Sequence, residues 1–457
     1  MEHGLDVTVV AVVAASALLW ALLSARLQRF NLSAPMAFVA LGLVSSHGPL
    51  AVIDVHIDSS TARSVAELTL AIVLFVDASR VNVRALRHDA ALPVRLLAIG
   101  LPLTIGTGFL VAAGLYGGTS LWVVAVIAAA VAPTDAALGA PIVQDTRVPG
   151  RIRRVLNVES GLNDGIATPF VGIFVAGAAA AESMAGAHGV GAAALDLLGG
   201  LGVGVGVGLG AAALLRLAVA AGYSEPAFRP LVPLAAALLA YAVAVQFGTN
   251  GFIAAFVGGM AFGSLLPAEL SGTIEFTNVV GELLSLLMWF LVGAAMLVPA
   301  LQDARWQDVA FALLALTVVR MVPVAIASIG LGLDRRTVAF IGWFGPRGLA
   351  SVIFALLAYD ALDDADGARV LAAVTITVVA SVVAHGVSAS PLAARYGAWI
   401  AALRPGRPEH APAPDLASRS LRGRVAGTFG DGGHRVGSHS PGVRAGQATR
   451  RDHDDGR

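Results

Sequence analysis

The sequence predicts an all-α polytopic membrane protein, and three observations carry that expectation. Apolar runs of about 20 residues, the length a helix needs to cross a bilayer, recur along most of the 457-residue chain. Hydrophobic residues make up 57% of it and charged residues 13%, where soluble domains hold about 45–50% and about 25%. The runs are solid blocks, not the alternating segments of roughly ten residues that build a β-barrel, which is thereby excluded. Mean hydropathy is +0.78. Thirty Lys and Arg balance thirty Asp and Glu, so no basic field argues for a nucleic-acid partner. The absence of Cys removes disulfides, thiolate metal sites and thiol catalysis, and no motif calls for a cofactor.

Setting apolar runs against polar punctuation places about thirteen spans, at 7–25, 35–54, 64–80, 91–115, 120–143, 155–180, 191–221, 230–247, 250–266, 279–301, 307–332, 336–359 and 368–394. The first follows Glu2 and Asp6 and precedes Arg26 and Arg29, the reverse of a signal peptide, so it is expected to be retained. Loops after spans 1, 3, 5, 7, 11 and 13 carry the arginines, among them Arg80, Arg151, Arg153, Arg229 and Arg335. The positive-inside rule makes those sides cytoplasmic and puts the N-terminus outside. The membrane part is expected to cover 1–395, and the Arg-, Gly- and Pro-rich stretch 396–457 to be a disordered cytoplasmic tail. The glycine run from Gly199 to Gly210 lies inside span 7 and lacks a nucleotide-loop offset; Gly202, Gly206 and Gly210, four apart, are expected to give a smooth packing face.

Ionisable groups inside a bilayer cost about 2.5–3.5 kcal/mol each at a helix centre, so each is a functional candidate. Span 3 holds Glu67 and Asp77, span 5 Thr134-Asp135, span 6 Glu159-Ser160-Gly161-Leu162-Asn163-Asp164, span 10 Glu282, span 11 Arg320, span 12 Arg347 and span 13 His385. Spans 5 and 12 are each interrupted at mid-depth, by Ala132-Pro133-Thr134-Asp135 and by Gly345-Pro346-Arg347-Gly348. Proline removes a helical hydrogen bond, and freed backbone at that depth is tolerated only where it is buried in protein or lines a cavity. The odd offset of seven spans makes the two run in opposite directions, as in an inverted repeat whose broken helices cross at the transport site. Asp135 and Arg347 are expected to offset the exposed half-helix dipoles there.

Ser160 and Asp164 share one face of span 6, and Glu159 and Asn163 the neighbouring one. Asp164, Ser160 and Thr134 supply the oxygens a hard monovalent cation needs. A carboxylate so placed binds either a proton or a cation, the minimum chemistry of an exchanger. Glu159 and Arg320 form the natural buried pair, with Asp135 or Glu282 as other partners for the arginine.

Ala132-Pro133-Thr134-Asp135, Glu159-Ser160-Gly161-Leu162-Asn163-Asp164-Gly165 and Trp343-Phe344-Gly345-Pro346-Arg347-Gly348-Leu349, supported by Phe290-Leu291-Val292-Gly293-Ala294, resemble the sodium/proton antiporters of the NhaP and eukaryotic exchanger type. The resemblance spans residues 5–395. It implies a thirteen-helix homodimer in the cell membrane, in which a core (about 91–180 and 307–395) moves as an elevator against an interface domain (about 7–80 and 191–301). It also implies roles. Asp164 would carry Na⁺ and H⁺ in turn, and Asn163 would stand where electrogenic relatives have a second Asp. Thr134 and Ser160 would coordinate Na⁺, Asp135 and Arg347 would stabilise the crossing, Glu159 would pair with Arg320, and Glu67 would reach the site from span 3. Gly-Pro-Arg-Gly departs from the Gly-Leu-Arg-Gly of many members. A K⁺/H⁺ antiporter of the same fold, a passive channel and an intramembrane aspartyl protease using Asp135 and Asp164 are the other readings.

Overall fold

The computed structural model describes residues 7–55, 60–80, 90–182, 189–403 and 407–410. Among them every regular element is helical, and each apolar segment contains a helix or a pair of helical pieces. These are α1 (Val7–Leu27), α2 (Ala34–Ser46), α3 (Ser60–Ser79), α4 (Ala91–Leu115), α5 in halves (Leu121–Ala130 and Ala136–Val143), α6 (Gly150–Glu182) and α7 (Gly189–Ala220). There follow α8 (Leu231–Gln246), α9 (Gly251–Leu265), α10 (Ala268–Gln302), α11 in pieces (Trp306–Leu316 and Val318–Ala327), α12 in halves (Arg335–Trp343 and Leu349–Ala361) and α13 (Asp364–Ala401). Among the described residues seven helices are long and apolar enough to cross a membrane: α1, α4, α6, α7, α10, α11 and α13. Helix starts follow local chemistry. Asn250 caps α9 by accepting the Phe252 and Ile253 N–H groups, each at 3.0 Å, and Asp363 caps α13 through Asp366 N–H at 2.8 Å.

Two packing groups stand out. Leu96 of α4, Ile152 and Leu156 of α6, Val324 of α11, Ile341 of α12 and Tyr396 of α13 meet in one buried cluster. Phe75 of α3, Leu215 of α7, Ala236 of α8 and Phe262 of α9 meet in another. In the second, α7 lies on α9 through glycine, but not the glycines expected. A Cβ at Gly200 would stand 2.7 Å from Asn250 O and one at Gly204 2.6 Å from Ala254 O, and Gly208 abuts Gly258, whereas Gly202, Gly206 and Gly210 have no neighbour within 4 Å of a Cβ. Both series recur every four residues; the neighbour, α9, selects the first.

The interruption of α11 was not expected. Thr317 sits at φ −112° and ψ −91°, outside the helical region. Six residues on, Pro323 lacks an N–H, and the Val319 carbonyl four residues before it accepts from the Thr107 hydroxyl of α4 at 3.3 Å. The chain also stays ordered beyond the boundary expected at 395. Helix α13 continues to Ala401, and Pro408–His410 form a short helical turn. The fully buried Glu409 carboxylate accepts from Asp334 N–H (2.8 Å) and Thr337 Oγ1 (3.1 Å) at the start of α12. Arg151 Nη1 of α6 donates to Pro408 O at 2.5 Å. A helix N-terminus is a good seat for a carboxylate even in a polar stretch. Residues 411–457, with most of the proposed tail, lie outside the described residues, as do Glu2, Asp6 and 81–89.

Gly204→Leu is expected to lower the melting temperature in detergent, because overpacking costs about 1–3 kcal/mol, while Gly206→Leu leaves it near wild type. Equal shifts would contradict the α7–α9 contact assigned to Gly204.

Candidate functional site

The two broken helices meet at their breaks. Asp135 N–H donates to Pro346 O across the gap at 2.7 Å. Asp135 is the N-cap of the second half of α5, with Oδ1 accepting from Leu138 N–H at 2.8 Å. Its other oxygen accepts from Leu349 N–H, the first residue of the second half of α12, at 3.1 Å. One carboxylate thus caps two helix N-termini, where negative charge is favoured. The approach is so close that a Cβ at Gly348 would overlap the Asp135 carboxylate. Carbonyl ends are met by the opposite charge. Arg347, fully buried, donates from Nη1 to Ala132 O (2.6 Å) and Pro133 O (3.2 Å), and from Nη2 to Ala315 O (3.3 Å), near the interruption of α11.

Beside the crossing, Arg320 and Glu159 form a buried two-pronged pair, Nη1 to Oε1 at 2.5 Å and Nη2 to Oε2 at 2.9 Å. A Cβ at Gly345 would stand 2.8 Å from the Arg320 guanidinium carbon, so the first glycine of the α12 break makes room for this pair. Glu282, another partner considered for Arg320, accepts instead from Asn278 Nδ2 at 3.0 Å.

Oxygen atoms cluster between the α5 break and α6. Thr134 Oγ1 lies 2.9 Å from Ser160 Oγ, and Asn163 Nδ2 donates to Thr134 Oγ1 at 2.6 Å; all three side chains are buried. Asn163 Oδ1 is buried with no hydrogen-bond partner among the described residues. Leaving such an acceptor unsatisfied costs about 1–3 kcal/mol. Asp164 is the next residue, half-buried, one helical turn beyond Ser160. The hydrogen bonds of Glu67 lie elsewhere among the described residues. Its carboxylate accepts from Arg63 Nε at 2.8 Å and from the Tyr241 hydroxyl of α8 at 2.7 Å. Tyr241, which no sequence signal singled out, holds that carboxylate from another helix.

Two more residues at the crossing come from α13. Arg347 N–H donates to Ser381 Oγ at 2.7 Å, and His385 Nε2 lies 2.8 Å from Trp343 O. The sequence flagged His385 as an ionisable group in a span but gave no partner; Ser381 was not singled out, and only its i, i+4 spacing from that histidine could have pointed to it. Outside the membrane-crossing helices, Arg147 chelates Asp145 in the α5–α6 loop, which holds the Asp145 carboxyl below its ordinary range.

These features define a multi-pass membrane protein with an inverted pair of broken helices crossing over a polar site. The chain belongs to the sodium/hydrogen exchanger transmembrane family, which matches residues 13–395. It is 25% identical over 361 residues to a K⁺/H⁺ antiporter NhaP of Alkalimonas amylolytica, covering 78% of this chain and 61% of that protein. An uncharacterized Na⁺/H⁺ exchanger of Mycobacterium tuberculosis is 27% identical over 274 residues, 58% of this chain and 47% of that one. The chain thus matches less than two thirds of the length of these curated relatives. Among solved structures, the sodium proton antiporter MjNhaP1 of Methanocaldococcus jannaschii superposes with a TM-score of 0.69 at 19% identity, over 83% of this chain and 98% of that one. That likeness establishes the fold.

Removing one partner of a buried ion pair strands the other charge at about 3–5 kcal/mol. Glu159→Ala and Arg320→Ala are therefore each expected to lower yield and detergent melting temperature, and the double variant to be less unstable than the sum of the two. Two singles as stable as wild type would contradict the pair's weight in the fold.

Proposed function

We propose that the protein is an electroneutral antiporter that exchanges Na⁺ for H⁺ by alternating access at Asp164. The observation that carries the reading is the buried oxygen cluster of Thr134, Ser160 and Asn163 at the crossing, one residue from the Asp164 carboxylate. Membership in the exchanger family supports it. The cation would be held by Asp164, Ser160 and Thr134, with Asn163 fixing Thr134. Hydroxyl and carboxylate oxygens suit a hard monovalent ion. Because Asn163 cannot cycle a proton, one carboxylate returns one positive charge in either direction, and turnover moves no net charge. Glu67, held by Arg63 and Tyr241, would reach the site from α3.

The core of α4–α6 and α11–α13 would move against the remaining helices, in a homodimer within the cell membrane, with the N-terminus outside. Helix α1 has an apolar outer face, Leu18 and Leu22 being 62% and 73% exposed, which suits contact with lipid or with a second copy. K⁺ as the cation is the second reading, favoured by the name of the Alkalimonas relative. The protease reading loses its dyad, because both Asp135 oxygens are engaged by backbone N–H groups.

In proteoliposomes with an imposed pH gradient, Na⁺ or Li⁺ is expected to dissipate the gradient and Asp164→Asn to abolish the response in a folded protein. Activity retained in that variant would move the carrier role elsewhere; a response to K⁺ alone would select the second reading. A potential clamped with valinomycin at fixed K⁺ is expected to leave Na⁺-driven exchange unchanged. Voltage dependence of about 2.3 kcal/mol per charge per 100 mV would require a second titrating carboxylate.

A further inference from the structure

We propose that Ser381 and His385 are positioning residues that together replace the helical hydrogen bond missing at the α12 break. In a continuous helix the N–H of Arg347 would donate to the C=O of Trp343, four residues earlier. Here Phe344, at φ −82° and ψ 58°, adopts an inverse γ-turn, closed by Gly345 N–H donating to Trp343 O at 2.8 Å. The turn carries Arg347 N–H away from Trp343. That N–H donates instead to Ser381 Oγ (2.7 Å), and the Trp343 carbonyl receives His385 Nε2 (2.8 Å). The two groups that a helix would have joined are both bound by side chains one turn apart on α13.

The bridge is closed by the other ring nitrogen. His385 Nδ1 lies 2.8 Å from Ser381 O and 3.1 Å from Ser381 Oγ. Both ring nitrogens face a carbonyl, and the bond to Trp343 O requires the proton on Nε2. A neutral ring accepts at Nδ1 from the serine hydroxyl; a charged ring donates at Nδ1 to the serine carbonyl. The charged groups facing this ring are the Arg347 and Arg320 guanidinium groups of α12 and α11. Both states keep Nε2–H on Trp343 and Arg347 N–H on Ser381, so the bridge tolerates either charge. Trp343 is held further along the same face: its ring lies 5.2 Å from that of His385, and its Nε1 donates to Ser388 Oγ at 3.0 Å. Ser381, His385 and Ser388 follow one another at i, i+4 and i+7, a single stripe of α13.

The bridge fixes where Arg347 starts, and therefore where its guanidinium reaches the Ala132 and Pro133 carbonyls next to Thr134. This transmission to the cation site rests on the exchange reading; the bridge itself does not. Two measurements separate them. Amide hydrogen exchange of the Arg347 N–H, followed in purified detergent-solubilised protein, is expected to accelerate in Ser381→Ala by about tenfold, the equivalent of about 1.4 kcal/mol. No acceleration in a folded variant would overturn the bridge.

In proteoliposomes, Ser381→Ala and His385→Ala are each expected to raise the KM for Na⁺ about tenfold with a smaller change in kcat. The double variant should be little worse than either single, since either breaks the one bridge, and effects that multiply would contradict it. His385→Gln, whose amide N–H reaches the Nε2 position, should restore KM, while the shorter His385→Asn should not. Accelerated amide exchange with an unchanged KM would reduce the pair to a fold element and overturn the positioning role. A wild-type protein that moves no Na⁺, Li⁺ or K⁺ would overturn the exchange reading, with the amide measurement still deciding the bridge.

Discussion

A helix broken inside a membrane leaves backbone donors and acceptors where no bulk water can reach them, and the rest of this structure answers to that constraint. Two breaks brought together produce four loose ends, two rich in N–H and two rich in C=O. Each helix N-terminus carries roughly half a positive charge, so the two capped by Asp135 amount to about one, which a single carboxylate matches. Arg347 does the converse, its guanidinium surrounded by three carbonyl oxygens. Both charges are consumed by the scaffold. This gives the neighbouring carboxylate, Asp164 of α6, a different task from Asp135, which caps the second half of α5: one holds the joint, the other is assigned the traffic.

The two groups of helices are held by different forces. Around the crossing, the Glu159–Arg320 pair, the Asp135 caps and the α13 bridge are polar and directional. They specify one arrangement and are costly to break singly. Between α7 and α9 contact is through glycine backbone, where close approach and dispersion do the work without a polar partner. A body built on directional bonds holds its internal geometry while its surroundings change, which is what a site must do if it is to bind the same ion from two sides.

The breaks in α5 and α12 were legible because Pro, Gly and a charged residue in an apolar run have few explanations other than unwinding. That Ser160 and Asp164 share one face of α6, with Asn163 on the neighbouring one, was legible for a similar reason, since helical spacing alone places them. The interruption at Thr317 was not, because threonine is no helix breaker and the chain turns there under tertiary contacts, with Arg347 on the Ala315 carbonyl and Arg320 reaching Glu159. The glycine run offered two interleaved series of identical period, and periodicity carries no information about which face has a neighbour. Glu67 showed its i, i+4 partner Arg63 in the sequence but not Tyr241, 174 residues away.

Glu409, next to the last described residue, has a mechanical consequence. Its carboxylate and the Pro408 carbonyl tie the segment to α12 and α6, both assigned to the proposed core, and among the described residues these hydrogen bonds reach no helix outside it. If the proposed core moves, Pro408 and Glu409 ride on the carriage and not on the rail. Any load placed on Pro408 or Glu409 would then be felt as drag or thrust on the carriage itself, and each stroke of such a core would in turn displace them relative to the membrane.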